Sequence, residues 1–417
     1  MKLKYNLEDH LPMGQMIIYA LQWFILAVAV VVTSVFVAQG TPAEKLFYSQ
    51  KLFVVMGATG LMQLIWGHRL PLVVGPAAVL LVGVLSSLGA GASVNAIYSS
   101  IAIGGGLVVL LSFGGIMRMI QRLFTPRIVV VILMLIAFTL TPVIKGLVFP
   151  AVAHEGEHLF GLIFTIVGCL SMVVLNRNLK GVAKSLVIPI ALVVGSVVYY
   201  ALFPMQERVV TDATLDGLFI GEFSLDLGLI IAFVICYIAL LINDIGSIES
   251  LGAMLGAEAM DTRLKRGVRI TGLMNVASGA MGVLGPVNFS MSPGVIASTG
   301  CASRRVMIPA TIALILCGLF PNIVWVLTNI PNPVIGVILL FLMGTQLSAG
   351  FEMIHSTNAV RNFSEALTLS LPLMVAMLFQ LMPRGIIPSV IEPLVGNGFA
   401  MGVITVMLME HVVNRNK

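Results

Sequence analysis

Long apolar runs fill most of this chain, and short clusters of charged and turn-forming residues separate them. A membrane-spanning helix needs roughly 20 consecutive, mostly apolar residues, and the runs give about fourteen such segments. They begin near residues 13, 49, 71, 94, 127, 158, 183, 227, 268, 287, 306, 332, 364 and 386. The pattern predicts an all-α polytopic membrane protein.

Two of these segments are unusually short and are interrupted by glycine and proline. The third contains a Gly-Pro pair at residues 75–76, and the tenth contains Gly-Pro at 285–286 and Pro-Gly at 293–294. Irregular backbone at membrane depth persists only where protein or a water-filled cavity satisfies its polar groups. We therefore predict broken half-helices at spans 3 and 10.

The two breaks lie seven segments apart in a fourteen-segment order. Equivalent breaks in two halves are typical of transporters built from inverted repeats, with the solute site at the repeat interface. An odd number of spans per half makes the second half run opposite to the first. We expect two inverted seven-span repeats.

Composition excludes a soluble domain, because 59% of the 417 residues are hydrophobic and only 10% are charged. The four cysteines lie in or beside apolar segments without metal-ligand spacing, so we expect core residues and neither a metal nor a cofactor. No Ser/His/Asp, Cys/His or HExxH constellation is present, so an enzyme is not expected. A nucleic-acid partner is not expected either.

Basic residues cluster in alternate predicted loops, starting from an amino terminus that carries Lys2 and Lys4. Positive residues favour cytoplasmic loops, so we predict a multi-pass protein of the cell (inner) membrane with both termini cytoplasmic. The clusters are His68-Arg69; Arg118, Arg122 and Arg127; Arg177, Lys180 and Lys184; Arg263, Lys265, Arg266 and Arg269; Arg304-Arg305; and Arg361. Arg384 is an exception on the other side.

Segment eight ends in polar residues inside an apolar run, namely Asn243, Asp244, Ser247 and Glu249. Ionisable groups within the membrane are costly and mark functional sites. Asn243 and Ser247 share one helix face, whereas Asp244 points about 100° away from Asn243. The alternative is that the helix has reached the membrane surface by Asp244, which would leave the acids solvated.

The break in segment ten offers polar side chains and free backbone amides. A half-helix amino terminus has roughly half a positive charge and several unpaired N–H donors, which suit a carbonyl-rich or anionic solute. The alternative is a Pro/Gly kink that neighbouring helices repair. The polar side chains are Asn288, Ser290, Ser292, Ser298 and Thr299.

Three stretches resemble the nucleobase-ascorbate transporter family, the uracil and xanthine permeases. YNLEDHLP followed by LQW is similar to the family's entry segment, and SGAMGVLGPVNFSMSPGVIASTG is similar to its signature. IPNPVIG is similar to its entry to span twelve. The resemblance covers nearly the whole chain.

The chain departs from the family pattern at several positions. Trp23 replaces a usual His, Met291 stands where Glu or Gln is usual, and Ser292 stands where Asn is usual. In span eight, Asn243 and Ser247 occupy the positions of a Glu and of a His or Asp. An amide and a hydroxyl can still pair with a nucleobase edge.

The resemblance implies a core domain formed by residues 1–125 and 226–329 and a gate domain formed by residues 126–205 and 330–417. It also implies elevator-like movement of the core against the gate, and a homodimer through the gate. The solute would be a nucleobase such as uracil or xanthine. The expected solute contacts are Ala78, Asn243, Ser247, Ser290, Met291 and Ser292. If transport is coupled to protons, Asp244 is the first titratable candidate and Glu249 the second.

Two other functions stay open at this point. The first is an anion carrier of the sulfate or dicarboxylate type, a class of protein that resembles this architecture. The missing site carboxylates suit an anion, because like charges would repel it. A transport-inactive membrane scaffold or sensor would explain the departures at Met291 and Asn243.

Overall fold

The computed structural model describes residues 3–113, 125–149, 157–179, 187–203, 217–289, 292–383, 386–387 and 392–414. Several residues used above for charge counting lie outside this part of the chain, namely Lys2, Arg118, Arg122, Lys180, Lys184 and Arg384.

Helices account for most of the described residues. In the first half they are α1 (Met13–Val32), α2 (Pro42–Ile65), α3 (Ala78–Gly89), α4 (Val94–Leu111), α5 (Pro126–Thr139), α6 (Thr141–Val148), α7 (Glu157–Asn178) and α8 (Val187–Tyr200). In the second half they are α9 (Leu227–Leu255), α10 (Met260–Ala280), α11 (Ser292–Thr299), α12 (Met307–Leu319), α13 (Pro321–Thr328), α14 (Asn332–Thr357), α15 (Phe363–Gln380), α16 (Glu392–Val395) and α17 (Gly398–Leu408). A π-helical turn, Met409–Val413, follows α17.

Seven described segments are long and apolar enough to cross a membrane by themselves. An eighth is obtained if α12 and α13, which are bent by 102°, form one broken span. This part of the chain is therefore a helical, multi-pass membrane protein, as the apolar runs predict.

The helices pack mainly in two groups. In one group α10 lies along α4, α12 lies along α2, and α9 contacts α3 and α4. In the other, α14 packs on α5, α6, α7 and α8, while α15 and α17 pack on each other and on α5. Smaller contacts of α9 and α3 with α17 join the two groups.

Two short strands connect distant parts of the first group. Strand β1 (Val74–Pro76) precedes α3, and strand β2 (Pro286–Asn288) precedes α11. They pair antiparallel, with Val74 opposite Asn288 and Pro76 opposite Pro286. The two predicted interruptions are therefore extended segments that bind each other.

Two helices differ from the sequence prediction at their starts. Helix α2 begins at Pro42 and not near residue 49, because Thr41 and Glu44 form a capping box at its amino end. Helix α10 begins at Met260, so that the predicted basic loop around Arg263 lies within a helix. In both cases charged residues occupy the first turns, so the helix begins before the apolar run does.

Candidate functional site

The β1–β2 pair satisfies the backbone where both helices are interrupted. Outside the pair, the Ala77 N–H donates to Gly285 O at 2.9 Å and the Phe289 N–H donates to Val73 O at 2.8 Å. Helix α3 has only 12 residues and α11 only 8, too few to cross a bilayer. Two half-helices therefore start at one strand pair, with their amino ends close to it.

Glycine is needed on both strand segments because the packing leaves no room for a side chain. A Cβ at Gly285 would overlap the Asn275 amide oxygen, and a Cβ at Gly75 would overlap Val30 and contact the Phe289 ring at 2.8 Å. Asn275 is fully buried and donates from Nδ2 to Pro286 O at 2.9 Å. Its side chain thus anchors β2 to α10.

Asp244 on α9 is fully buried and accepts three hydrogen bonds. The Asn288 backbone N–H donates to Oδ1 at 3.0 Å, and Asn288 Nδ2 donates to the same oxygen at 2.8 Å. The Thr271 hydroxyl donates to Oδ2 at 2.9 Å. The carboxylate consequently joins α9, α10 and β2, and the alternative of a solvated acid at this position is wrong.

A histidine and a glutamine close these contacts into a ring. The Leu70 N–H donates to His68 Nδ1 at 2.9 Å, so the ring proton lies on Nε2, which donates to Asn288 Oδ1 at 3.0 Å. Gln63 Nε2 donates to the Thr271 hydroxyl at 3.0 Å. The His68 backbone N–H donates to Gln63 Oε1 at 3.4 Å. We call Gln63, His68, Asp244, Thr271 and Asn288 the Asp244 network.

Asn243 presents a different face of α9 from Asp244. Its side chain is half-buried and makes no hydrogen bond among the described residues, and Gly246, one turn later, is exposed. A Cβ at Gly246 would meet nothing within 4 Å. The buried Ser247 hydroxyl donates to Asn243 O at 2.8 Å, which leaves its lone pairs as acceptors. This face has room for a ligand.

The other predicted site residues have diverse environments. Ala78 is half-buried at the first position of α3, and Glu249 is exposed. The Ser292 hydroxyl is buried, accepts from the Val73 N–H at 2.9 Å and donates to Phe289 O at 3.3 Å, so it ties α11 to β1. Ser290 and Met291 lie outside the described residues.

Sequence reasoning missed most of the Asp244 network. The His68-Arg69 pair predicts a cytoplasmic loop, yet His68 is fully buried. Gln63, Thr271 and Asn275 are single polar residues inside helices, and all three are buried. The sequence signals for this network are Asp244, a polar residue in an apolar run, and Asn288, which lies in the break of segment ten. The Asn288 side chain connects His68 to Asp244.

The sequence of this chain is similar to those of known permeases. The profile of the xanthine/uracil permeases, described as "Permease family", matches residues 14–385. Xanthine permease of Bacillus subtilis is 26% identical over 395 residues, covering 90% of this chain and 88% of that protein. Xanthine permease XanP of Escherichia coli is 26% identical, covering 98% and 94%. Uric acid permease PucJ of Bacillus subtilis is 24% identical, covering 82% and 78%.

Solved structures show the same fold at low identity. The transmembrane domain of the cyanobacterial bicarbonate transporter BicA superposes with a TM-score of 0.67 at 14% identity, covering 95% of this chain and all of that domain. The murine anion transporter Slc26a9 in its inward-facing state gives 0.61 at 13% identity, covering 99% and 70%.

Proposed function

The chain belongs to the xanthine/uracil permease family, and we propose that it is a secondary active transporter for a nucleobase-like solute such as xanthine or uracil. Permeases named for xanthine and uric acid align with most of its length. Membership of this family makes the chain a transporter and not an enzyme.

The proposed architecture is fourteen spans in two inverted seven-span repeats. Its support is the antiparallel pairing of β1 with β2, each followed by a half-helix. We further propose a core of residues 1–125 and 226–329 and a gate of residues 126–205 and 330–417, a division that the two packing groups of the described helices support. Core movement against the gate would give alternating access, with a homodimer formed through the gate and both termini cytoplasmic.

The proposed solute site lies between the half-helices and the open face of α9. Asn243 would use its amide to pair with the edge of the heterocycle, because an amide offers both a donor and an acceptor. Ser247 would accept from a ring N–H. Backbone at Ala78 and from Ser290 to Ser292 would approach the solute closely, since half-helix amino ends favour carbonyl oxygens.

Asp244 is the proposed site of proton coupling, should transport be proton-coupled, and Glu249 is the second candidate. All three hydrogen bonds to Asp244 are donated to it. A protonated carboxyl would have to direct its own O–H toward one of these donors, so that at least one bond would break. Protonation of Oδ2, which has the single bond from Thr271, would thereby reverse or break the contact between α9 and α10.

The free amide of Asn243 beside the open face at Gly246 is the observation that carries the site assignment. Uptake of labelled xanthine and uracil by cells that produce the wild-type chain tests the function. We expect saturable uptake, and loss of binding with Asn243→Ala. Asn95→Ala, which removes a half-buried asparagine side chain from the start of α4, serves as a control. Unaltered uptake by Asn243→Ala would refute the role of this residue.

An anion carrier is the second candidate, because the structurally similar BicA and Slc26a9 are named as a bicarbonate transporter and an anion transporter. Thermal stability of the purified protein against a panel of nucleobases and small anions separates the two, since ligands that bind the folded state raise the melting temperature. A shift with xanthine or uracil supports the nucleobase reading. A shift with sulfate alone would favour the anion carrier, and no shift with any solute would favour a transport-inactive scaffold or sensor.

A further inference from the structure

A cavity lies far from the Asp244 network. Its volume is about 590 Å³, within the range of ligand pockets in proteins. It is lined by the turn after α1, the start of α2, the end of α6 and the α13–α14 junction, which lie together at one end of the molecule. Lys45 of the cavity and Gln63 of the network are separated by about 27 Å along α2, at 1.5 Å per residue. The cavity is thus a separate site.

The cavity is rich in hydrogen-bond donors. Lys45 is exposed and lines it, and no described carboxylate forms an ion pair with its ammonium group. The neighbouring Glu44 does not line the cavity, and its carboxylate accepts from Thr41 N at 2.6 Å. The Tyr200 hydroxyl donates to Asn329 Oδ1 at 3.0 Å, which leaves the Asn329 Nδ2 hydrogens free for another acceptor.

Helix α14 adds its positive end to the same space. Asn332 is its first residue and lines the cavity, and no side chain caps this 26-residue helix. Pro333 has no N–H and the Val334 N–H donates to Pro331 O at 2.9 Å, so the Asn332 N–H is the backbone donor that this end offers. The amino end of a helix attracts negative charge and carbonyl oxygens. By contrast, the hydroxyls at the rim are already used: Ser49 donates to Lys45 O at 2.8 Å and Thr328 donates to Val324 O at 2.8 Å.

Two aromatic residues complete the lining, Trp325 on α13 and Phe36 in the turn after α1. Both are half-buried. Aromatic faces favour stacking with planar rings. The combination of an ammonium group, amide donors, a helix amino end and aromatic faces fits a flat, oxygen-rich ring.

We propose that this cavity is an outer binding site for an oxopurine, neutral or singly negative, which captures the solute before it reaches the site at Asn243. The inference rests on the proposed function. Lys45 and the start of α14 hold the exocyclic oxygens, and Trp325 stacks on the ring. Lys45 lies on an element of the proposed core, while Asn332 lies on an element of the proposed gate. The cavity therefore changes shape when these move against each other.

Fluorescence of Trp325 tests the proposal directly, because the chain has only three tryptophans. In the full-length purified Trp23→Phe/Trp66→Phe protein, xanthine should quench the emission saturably. Lys45→Met should raise the Kd about tenfold, the loss of one charge-assisted hydrogen bond. Lys145→Met, an exposed lysine of α6 outside the cavity lining, is the matched control and should leave the Kd unchanged.

The Asn243→Ala variant separates the two sites. It should retain the quenching if xanthine binds beside Trp325. The proposal would be overturned if the quenching is lost with Asn243→Ala and unaffected by Lys45→Met. It would also be overturned if xanthine gives no saturable quenching, or if only sulfate quenches the emission. Should the tryptophan variant not fold, xanthine uptake by Lys45→Met in the wild-type background replaces it, with a several-fold higher KM and unchanged kcat expected.

Failure of the proposed function would look different. Quenching without uptake of xanthine by wild-type cells would leave the outer site standing and refute transport. Uptake without quenching, and with the same KM for Lys45→Met and Lys145→Met, would refute the outer site and leave transport standing.

Discussion

Replacing Gly246 by alanine should make the protein more stable and a poorer transporter. Gly246 lies well inside the 29-residue helix α9, one turn after Asn243 on its open face. An added Cβ would meet no heavy atom within 4 Å, so nothing in the folded chain opposes it. The substitution places a methyl group beside the proposed solute contacts while leaving all of them intact.

The expected gain in stability follows from helix propensity. Glycine inside a helix is about 0.8–1.0 kcal/mol less favourable than alanine. For a chain of this size, a change of that magnitude corresponds to a rise of about 1–3 °C in the melting temperature. Thermal unfolding of the purified variant and wild type measures it.

The expected loss in transport follows from volume. One extra methylene-sized group in a well-fitted pocket changes binding by about 1–3 kcal/mol, so the KM for xanthine should rise about tenfold or more. Gly106→Ala is the matched control, because a Cβ there also meets nothing within 4 Å and Gly106 lies inside α4. It should give a similar stabilisation with an unchanged KM. An unchanged KM for Gly246→Ala would show that this face of α9 does not contact the solute. A lower melting temperature would show that the added Cβ meets other atoms, contrary to the open space seen beside Gly246.

Three further predictions concern the strand pair, the gate and the amino-terminal segment. Gly285→Ala should destabilise the protein by about 1–3 kcal/mol, the usual cost of overpacking, because its Cβ overlaps the Asn275 amide; a melting temperature equal to that of wild type would contradict this. Arg127 forms ion pairs with Glu365 and Glu410, each at 3.0 Å. Arg127→Ala should therefore lower the melting temperature, because it removes the ion-pair partner of two carboxylates. As a control, Arg361→Ala, at an exposed position, should change the free energy of unfolding by no more than about 0.5 kcal/mol. Hydrogen bonding to Arg304 lowers the pKa of Glu8 below its ordinary 4.5; the contact therefore stabilises the folded state above that pH and is lost as the pH falls through the lowered pKa. The Lys4 and Tyr5 amides donate to Gly300 O. Their protection against hydrogen exchange, relative to the intrinsic rate at each pH, should therefore fall on acidification, and Glu8→Gln should remove this pH dependence.

The sequence predicted the membrane class and the location of both breaks, because apolar runs and Gly-Pro pairs are local signals. It could not show that residues 74–76 and 286–288 pair with each other. Strand pairing depends on which distant segments meet, and three-residue strands have no periodicity that could reveal it.

The candidate site was predicted only in part. Asn243 and Asp244 were singled out because polar residues stand out in an apolar run. Which of them is buried in a network and which faces open space depends on the neighbours of α9. Thr271 comes from α10, and His68, which contacts Asp244 through Asn288, comes from the loop after α2. In the sequence each resembles an ordinary helix or loop residue. Ser290 and Met291 remain predictions.

The β1–β2 pair also bears on how the chain enters the membrane. Val74 and Asn288 are separated by more than half of the chain, so β1 is synthesised long before its partner exists. Until then its backbone N–H and C=O groups are unpaired, and unpaired groups are costly within a bilayer. The first half of the protein therefore cannot reach its final arrangement during translation without water or a helper protein beside residues 74–76. Truncation before β2 should therefore leave α3 accessible to protease.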